Sequence, residues 1–153
     1  MTDGRMQATA SDDCTWRMWQ LPDAELIMAG EGHKDWVAGL EFHPGGACLA
    51  TGSGDSTVKL WDFAEQRCAA TLSEHTGAVW AVAFHDAGEV LASCSLDQTI
   101  RLWDVAAAAV KTVRVAAPWC CPEAHELLRR VCIVHSMLRC RRLRVSGASI
   151  AAL

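Results

Sequence analysis

The stretch LATGSGDSTVKLWD, residues 49–62, places an Asp–Ser pair in a glycine-rich turn, and three kinds of chemistry are conceivable there. Ser56 could be a nucleophile, the glycines could hold a phosphate, or Asp55 could fasten the turn to neighbouring structure. A phosphate loop needs Gly-Lys-Ser/Thr at the start of a helix, whereas this turn leads into the alternating, strand-like segment TVKLW. The sequence therefore does not predict a phosphate-binding site at this turn.

The same stretch belongs to a motif that recurs every 42 residues. TASDDCTWRMWQL (9–21), TGSGDSTVKLWDF (51–63) and SCSLDQTIRLWDV (93–105) align without a gap. The other copies have Cys14 and Gln98 in place of Ser56, so the pattern does not support a catalytic serine. Hydroxyl side chains, an Asp and a Trp persist in every copy: Thr9/Thr51/Ser93, Ser11/Ser53/Ser95, Asp13/Asp55/Asp97, Thr15/Thr57/Thr99 and Trp19/Trp61/Trp103.

The segments between these motifs repeat with the same period. GHKDWVAGLEFHPGGACLA (32–50) aligns with EHTGAVWAVAFHDAGEVLA (74–92), again at an offset of 42. Each unit predicts four short strands separated by Gly, Pro or Asp turns, and in the first complete copy these are 36–42, 47–53, 57–62 and 66–72. Four strands per 42 residues are typical of one blade of a β-propeller, so we predict an all-β fold.

At these residues the chain resembles the WD40 repeat family, through Gly32-His33, Trp61-Asp62, Trp103-Asp104 and the Asp of each SxDxT turn. The resemblance implies a hydrogen-bonded tetrad in each blade, made of a loop His, a hydroxyl of the second strand, the turn Asp and the Trp of the third strand. The implied tetrads are His33, Thr51, Asp55 and Trp61, and then His75, Ser93, Asp97 and Trp103. The first copy has a partial tetrad of Thr9, Asp13 and Trp19, without the His.

Physical chemistry independently favours a structural role for these groups. A buried Asp needs hydrogen-bond donors to stay ionised, and a His that bonds both the Asp and a hydroxyl satisfies both. We therefore expect no catalytic residue, no metal, no cofactor and no small-molecule substrate. Two departures from the family pattern, Glu74 in place of Gly and Gln20 in place of Asp, lie outside the tetrads.

The repeat divides the chain into four parts. We predict a partial first blade over 1–30 with its third and fourth strands, complete blades over 31–72 and 73–115, and a basic tail over 116–153. In the tail the register is lost, because Ala117, His135, Arg139 and Val145 stand where His, Ser/Thr, Asp and Trp are due. We therefore expect a WD40 propeller fragment of about two and a half blades, with further blades in a longer propeller. The tail could be a helix beginning at Pro122, a disordered end, or a truncated or mis-spliced end.

Charge separates the repeats from the tail. Residues 1–110 carry 6 Lys/Arg and 16 Asp/Glu, whereas residues 111–153 carry 8 and 2. The cluster Arg139, Arg141, Arg142 and Arg144 lacks interleaved aromatic residues, so a solvated basic end is favoured over a nucleic-acid site. The tail residues Cys121, His125, Cys132, His135 and Cys140 do not have the spacing of paired zinc knuckles.

The sequence also indicates the cellular compartment of the protein. The most apolar stretch, DVAAAAVKTVRVAAPW, is interrupted by Lys111 and Arg114 before it could span a bilayer, and no secretory signal is visible. Cys14, Cys48, Cys68 and Cys94 are scattered singly, which favours reduced thiols. We expect a soluble protein of the cytoplasm or cytoskeleton with no membrane partner.

A narrower resemblance concerns function. The connection ELIMAGEGHKDW (25–36) is similar to the start of the propeller in the sperm-associated antigen and flagellar central-pair WD-repeat family. This implies a non-catalytic scaffold that binds axonemal or microtubule-associated proteins in a cilium or flagellum. An adaptor or substrate-recruiting subunit of another complex, or a truncated product without function, stays open as an alternative.

The WD40 resemblance also implies where partners bind. In that family they contact the positions three and five after the His and the one before the Asp. In this chain those positions are Trp36, Ala38 and Gly54, then Ala78, Trp80 and Leu96, with Asp12 from the partial blade. Trp80 could instead pack within its own apolar strand.

Overall fold

A computed structural model of the chain describes residues 6–116, and the side chains of residues 6–110. The described residues form strands in three antiparallel sheets and contain no helix. The first sheet consists of β1 (Met6–Ala10), β2 (Trp16–Gln20) and β3 (Glu25–Gly30). The second consists of β4 (Val37–Phe42), β5 (Cys48–Ser53), β6 (Val58–Asp62) and β7 (Arg67–Leu72), and the third of β8 (Val79–Phe84), β9 (Val90–Ser95), β10 (Thr99–Asp104) and β11 (Ala109–Ala116). The all-β prediction is confirmed, while the predicted tail helix lies outside the described residues.

The first sheet differs from the expectation. It has three strands where the sequence predicted only the third and fourth of a blade, because Met6–Ala10 pairs along its whole length with Trp16–Gln20. Thr9 aligns with Thr51, and Thr51 lies in the second strand of its own sheet. Residues 6–10 therefore occupy the second-strand position, and the N-terminal prediction was one strand short.

Within each sheet, strands that follow one another along the chain pair with one another. The first strand of each four-stranded sheet is bulged against the second, with the shift in register at Ala38 in β4 and at Trp80 in β8. A bulge leaves one residue out of the pairing and can redirect its side chain. Both four-stranded sheets therefore have an extra residue at the same place on their first strand.

The turns repeat as closely as the strands. The second-to-third-strand turn has a positive φ at Cys14, Ser56 and Gln98, between 64° and 69°. The turn from the first to the second strand uses glycine in the left-handed region, with φ of 72° at Gly46 and 76° at Gly88. The period of 42 is thus present in the backbone as well as in the sequence.

Apolar side chains fill the space between consecutive sheets. Trp16 and Met18 of the first sheet pack with Leu49 and Trp61 of the second, and the rings of Trp16 and Trp61 meet edge to face at 5.4 Å. The next interface joins residues of the second and third sheets: Ala50, Val58, Leu60, Leu72, Val79, Val82, Phe84, Leu91 and Trp103. Burial of this apolar surface is the main force that holds the sheets together.

One polar contact also joins the second and third sheets. The Nδ1 atom of His43 accepts a hydrogen bond from the Gly45 N–H at 2.9 Å, so its proton lies on Nε2 and is donated to the Gly88 carbonyl at 3.1 Å. The His43 ring also meets Phe84 edge to face at 5.1 Å. His43 therefore acts as a staple between two turns of neighbouring sheets.

Candidate functional site

The structure brings His33, Thr51, Asp55 and Trp61 together in the second sheet. His33 lies in the loop before β4, and its Nδ1 is 2.9 Å from Asp55 Oδ2 while its Nε2 is 2.7 Å from Thr51 Oγ1. The Trp61 indole N–H donates to the same Thr51 oxygen at 2.8 Å. The His33 side chain is fully buried, and the Asp55 side chain is 8% exposed. The four groups form a continuous chain of hydrogen bonds.

The third sheet repeats this arrangement. His75 Nδ1 lies 2.8 Å from Asp97 Oδ2, and His75 Nε2 lies 2.8 Å from Ser93 Oγ. The Trp103 indole N–H donates to Ser93 Oγ at 2.8 Å. Replacing Thr by Ser leaves the geometry unchanged because only the hydroxyl is used.

The protonation states follow from the donors. Burial would raise the pKa of Asp55, but hydrogen bonds from the Thr57 side chain, the Lys34 N–H and His33 outweigh it and lower the pKa to about 2. Burial lowers the pKa of His33 below its ordinary value of 6.5, although Asp55 partly offsets this. Asp55 is therefore ionised and His33 neutral at pH 7. His33 Nδ1–H donates to Asp55, and Thr51 donates to His33 Nε2.

The order hydroxyl–His–Asp resembles that of a hydrolase triad, so its accessibility decides what it can do. Thr51 and Ser93 are both 0% exposed, and an indole N–H already occupies each hydroxyl oxygen. A nucleophile must reach its substrate, and a buried oxygen that accepts from Trp cannot. The tetrads fasten the His loop to the sheet.

The partial tetrad of the first sheet is looser. Trp19 donates to Thr9 Oγ1 at 3.0 Å, as Trp61 does to Thr51. Asp13 accepts from the Thr15 N–H at 3.0 Å and forms an ion pair with Arg17 at 3.4 Å. These contacts are exposed, and hydrogen bonds from Thr15 lower the pKa of Asp13.

Further residues that the repeat pattern did not assign to the tetrads complete the turns. Thr57 donates from both its N–H and its hydroxyl to Asp55 Oδ1, and Ser53 Oγ accepts from the Asp55 N–H and donates to the Asp35 carbonyl. Thr99 and Ser95 repeat these contacts. The sequence contained a signal for these residues, because a Ser and a Thr recur at these positions in every copy of the repeat.

Glu74 also acquires a role that the sequence did not indicate. Its carboxylate lies 3.6 Å from Arg101 Nη1. Glu74 is 61% exposed, while the Arg101 side chain is only 10% exposed. The residue that departs from the Gly-His pattern therefore partly neutralises the mostly buried guanidinium of Arg101 in β10.

The implied partner-binding positions lie beside the His loops and Asp turns. We call this edge of the sheets the loop face: residues 11–15, 31–36, 54–57, 73–78 and 96–98, with the bulged Ala38 and Trp80. Trp80 is 45% exposed and Leu96 60% exposed. Ala38 and Asp12 are also exposed, whereas Trp36, Gly54 and Ala78 are half-buried. The Trp80 side chain is thus only partly covered by the protein.

Trp36 and Trp80 touch across the boundary between the second and third sheets. Their ring centroids are 4.7 Å apart, with an angle of 43° between the planes. The Trp36 ring lies over Gly54, where an added Cβ would come within 2.6 Å of Trp36 Cε2 and Nε1 and 3.0 Å of Asp35 Oδ2. The loop face therefore carries an aromatic pair with a carboxylate beside it.

Two further absences apply to the described residues. Among residues 6–116 no group of three or more His, Cys, Asp or Glu side chains is placed to hold a metal ion. In that same part of the chain no helix has the length and apolarity to cross a membrane.

Comparison with known proteins agrees with this geometry. The family model described as WD domain, G-beta repeat matches residues 24–62 and 66–104, which confirms the resemblance. Over 27 residues, 18% of this chain, the sequence is 70% identical to flagellar WD repeat-containing protein Pf20 of Chlamydomonas reinhardtii. Over 43 residues, 28% of this chain, it is 40% identical to nuclear distribution protein PAC1-2 of Postia placenta. These matches span 4% and 10% of the two relatives.

Proposed function

Because the chain belongs to the WD40 repeat family, we propose that it is a non-catalytic scaffold of a ciliary or flagellar axoneme or of another microtubule-associated assembly. Members of this family serve as protein-interaction modules. The proposal covers the division into blades at 31–72 and 73–115, the structural tetrads, and partner binding through the loop face. It places the protein in the cytoskeleton.

One observation carries the axonemal part of the proposal. A segment of 27 residues is 70% identical to a protein named as flagellar. The relevant polar groups are already used, since each His, hydroxyl and Asp of the tetrads is bonded to another. The loop face is available to a partner, and a large aromatic side chain is exposed there in the manner of an interface hot spot.

The match to PAC1-2 favours a second candidate. That relative is named for nuclear distribution, so the module could belong to such an assembly instead. Both candidates use the same surface and differ in cellular place.

The full chain, tagged and expressed in a ciliated cell, tests the proposal. We expect it in the detergent-resistant axonemal fraction, and we expect Trp80→Ala to lose this retention while the matched variant Leu26→Ala keeps it. Leu26 is 49% exposed and lies on β3, outside the loop face. Accumulation around the nucleus would favour the second candidate. Retention unaffected by Trp80→Ala would refute binding through the loop face.

Microtubule co-sedimentation of the purified chain adds a second measurement. Direct sedimentation of the chain would support microtubule association itself, whereas sedimentation only with added axonemal extract would indicate an intermediate protein. Absence of sedimentation in both conditions would count against the microtubule-based assembly and favour an adaptor in another complex.

A further inference from the structure

The acidic loop face and its aromatic pair suggest what kind of partner the chain binds. The loop face carries seven carboxylates, on Asp12, Asp13, Glu31, Asp35, Asp55, Glu74 and Asp97, and one lysine, Lys34. Asp55 and Asp97 are covered by hydrogen bonds, while Asp13 and Glu74 have ion-pair partners in Arg17 and Arg101. Asp12, Glu31 and Asp35 are exposed and have no salt bridge within the described residues. The free charge of this surface is therefore negative.

The carboxylate of Asp35 lies directly beside the Trp36 ring of the aromatic pair. Asp35 Oδ2 and two atoms of the Trp36 ring all lie within about 3 Å of one point above Gly54. The Asp35 carboxylate is held in this position because its Oδ1 accepts from the Trp36 N–H at 2.9 Å. A cation that approached the Trp36 and Trp80 rings would meet this carboxylate as well.

We propose that the loop face binds a basic peptide segment of another protein, with an arginine side chain held against Trp36 and Trp80 and paired with Asp35, and an apolar neighbour on Leu96. This rests on the proposed function, since it gives the chemistry of the partner at the same surface. A guanidinium stacks on indole faces and pairs with a carboxylate in one plane, which matches the two features found here.

Two structural details fit this occupant. The bulge at Trp80 turns the ring out of the strand, and the contact with Trp36 from the neighbouring sheet fixes it. Gly54 leaves room for the Trp36 ring, whereas the equivalent position in the next repeat is the exposed Leu96. The surface thus pairs an aromatic site with an apolar one and has acidic side chains around it.

Charge also selects against the main alternative, an acidic surface. Residues 6–110 carry 5 Lys/Arg and 15 Asp/Glu, so a polyanion such as a microtubule wall would be repelled by this body. The loop face would then reach microtubules through a basic protein that lies between them.

The test is a titration of the full chain with three short peptides, followed by tryptophan fluorescence and calorimetry. One peptide has arginines spaced by glycine and leucine, the second replaces each arginine by the neutral citrulline, and the third replaces it by glutamate. We expect the arginine peptide to bind about tenfold more tightly than the citrulline peptide and the glutamate peptide not to bind. Added salt should weaken the binding of the arginine peptide.

Variants locate the binding site. Trp80→Ala and Asp35→Asn should each lower the affinity for the arginine peptide about five- to tenfold. Asp35→Asn should also reduce the salt dependence of that affinity. Leu26→Ala should bind like the unaltered chain. Circular dichroism confirms that each variant is folded.

Each result then separates the two proposals. Equal binding of the arginine and citrulline peptides, lost in Trp80→Ala, would overturn the cationic chemistry and leave the loop face as the binding surface. Arginine-peptide binding that Trp80→Ala and Asp35→Asn do not change would overturn the proposed site. No binding at millimolar arginine peptide would overturn the proposal, while axonemal retention would still test the scaffold function independently.

Discussion

The contact between His43 and Gly88 allows a sharp test of how the sheets are joined, because the same turn exists twice. Gly46 and Gly88 both have a φ between 70° and 80° and occupy equivalent turns, each donating to the carbonyl of a preceding His. A Cβ at Gly46 would meet nothing within 4 Å, whereas a Cβ at Gly88 would lie 2.3 Å from His43 Nε2. Gly46→Ala is therefore a matched control for Gly88→Ala.

Both substitutions carry the cost of a left-handed non-glycine residue, about 1–2 kcal/mol. Only Gly88→Ala should also displace His43, which removes a hydrogen bond worth about 1 kcal/mol and the edge-to-face contact with Phe84 worth about 1 kcal/mol. The excess destabilisation of Gly88→Ala over Gly46→Ala should be about 2 kcal/mol. For a body of roughly 100 residues this lowers Tm by about 8 °C or more.

Urea and thermal unfolding of the full chain, followed by tryptophan fluorescence, measure this excess. In the background His43→Ala the excess should largely disappear, because the clashing ring is gone, and the double-mutant cycle reports the coupling. Equal destabilisation by Gly46→Ala and Gly88→Ala would refute the staple between the second and third sheets.

Three further predictions concern the tetrads and the loop face. Thr51→Val should reduce the free energy of unfolding by about 2–3 kcal/mol, because it leaves the Trp61 N–H and His33 Nε2 buried without partners. Thr9→Val in the exposed partial tetrad should cost less than about 1 kcal/mol. Similar values for the two variants in urea unfolding would show that burial of the tetrad is unimportant. The pKa of Asp55 is lowered from 3.8 to about 2, and those of His33 and His75 lie below 6.5. Stability should therefore change little between about pH 7 and 8, decline as pH falls through 6.5 because the buried neutral imidazoles resist protonation, and fall further between about pH 4 and 2. A urea midpoint that rises from pH 7 to pH 5 would instead indicate charged His–Asp ion pairs. Trp80→Ala should cost about 1–2 kcal/mol, because the side chain is 45% exposed but loses its contact with the Trp36 ring. A loss of about 3–5 kcal/mol in the same assay would assign Trp80 to the core.

The period of 42 allowed most of the fold to be anticipated, and the resemblance to the WD40 family implied the members of both complete tetrads. A sheet of consecutive hairpins is built from local pairing, so residues at fixed offsets within one repeat meet in every repeat. His33, Asp55 and Thr51 are separated by 22 and 18 residues, and His75, Asp97 and Ser93 by the same intervals. Because the spacing within a blade determines these contacts, the contacts assigned in one repeat also hold for the equivalent residues of the next repeat.

Contacts between blades were not accessible in the same way. Trp36 meets Trp80 and His43 meets Gly88, and neither pair is separated by the offsets that recur within a blade. The twist and spacing of packed sheets, and the bulge that turns Trp80 outward, decide which of these side chains approach one another. The sequence by itself determined the repeat and the strands, and its resemblance to the WD40 family implied the tetrads. Only the tertiary structure decided that the Trp36 and Trp80 rings meet beside the Asp35 carboxylate, because that meeting depends on how neighbouring sheets pack.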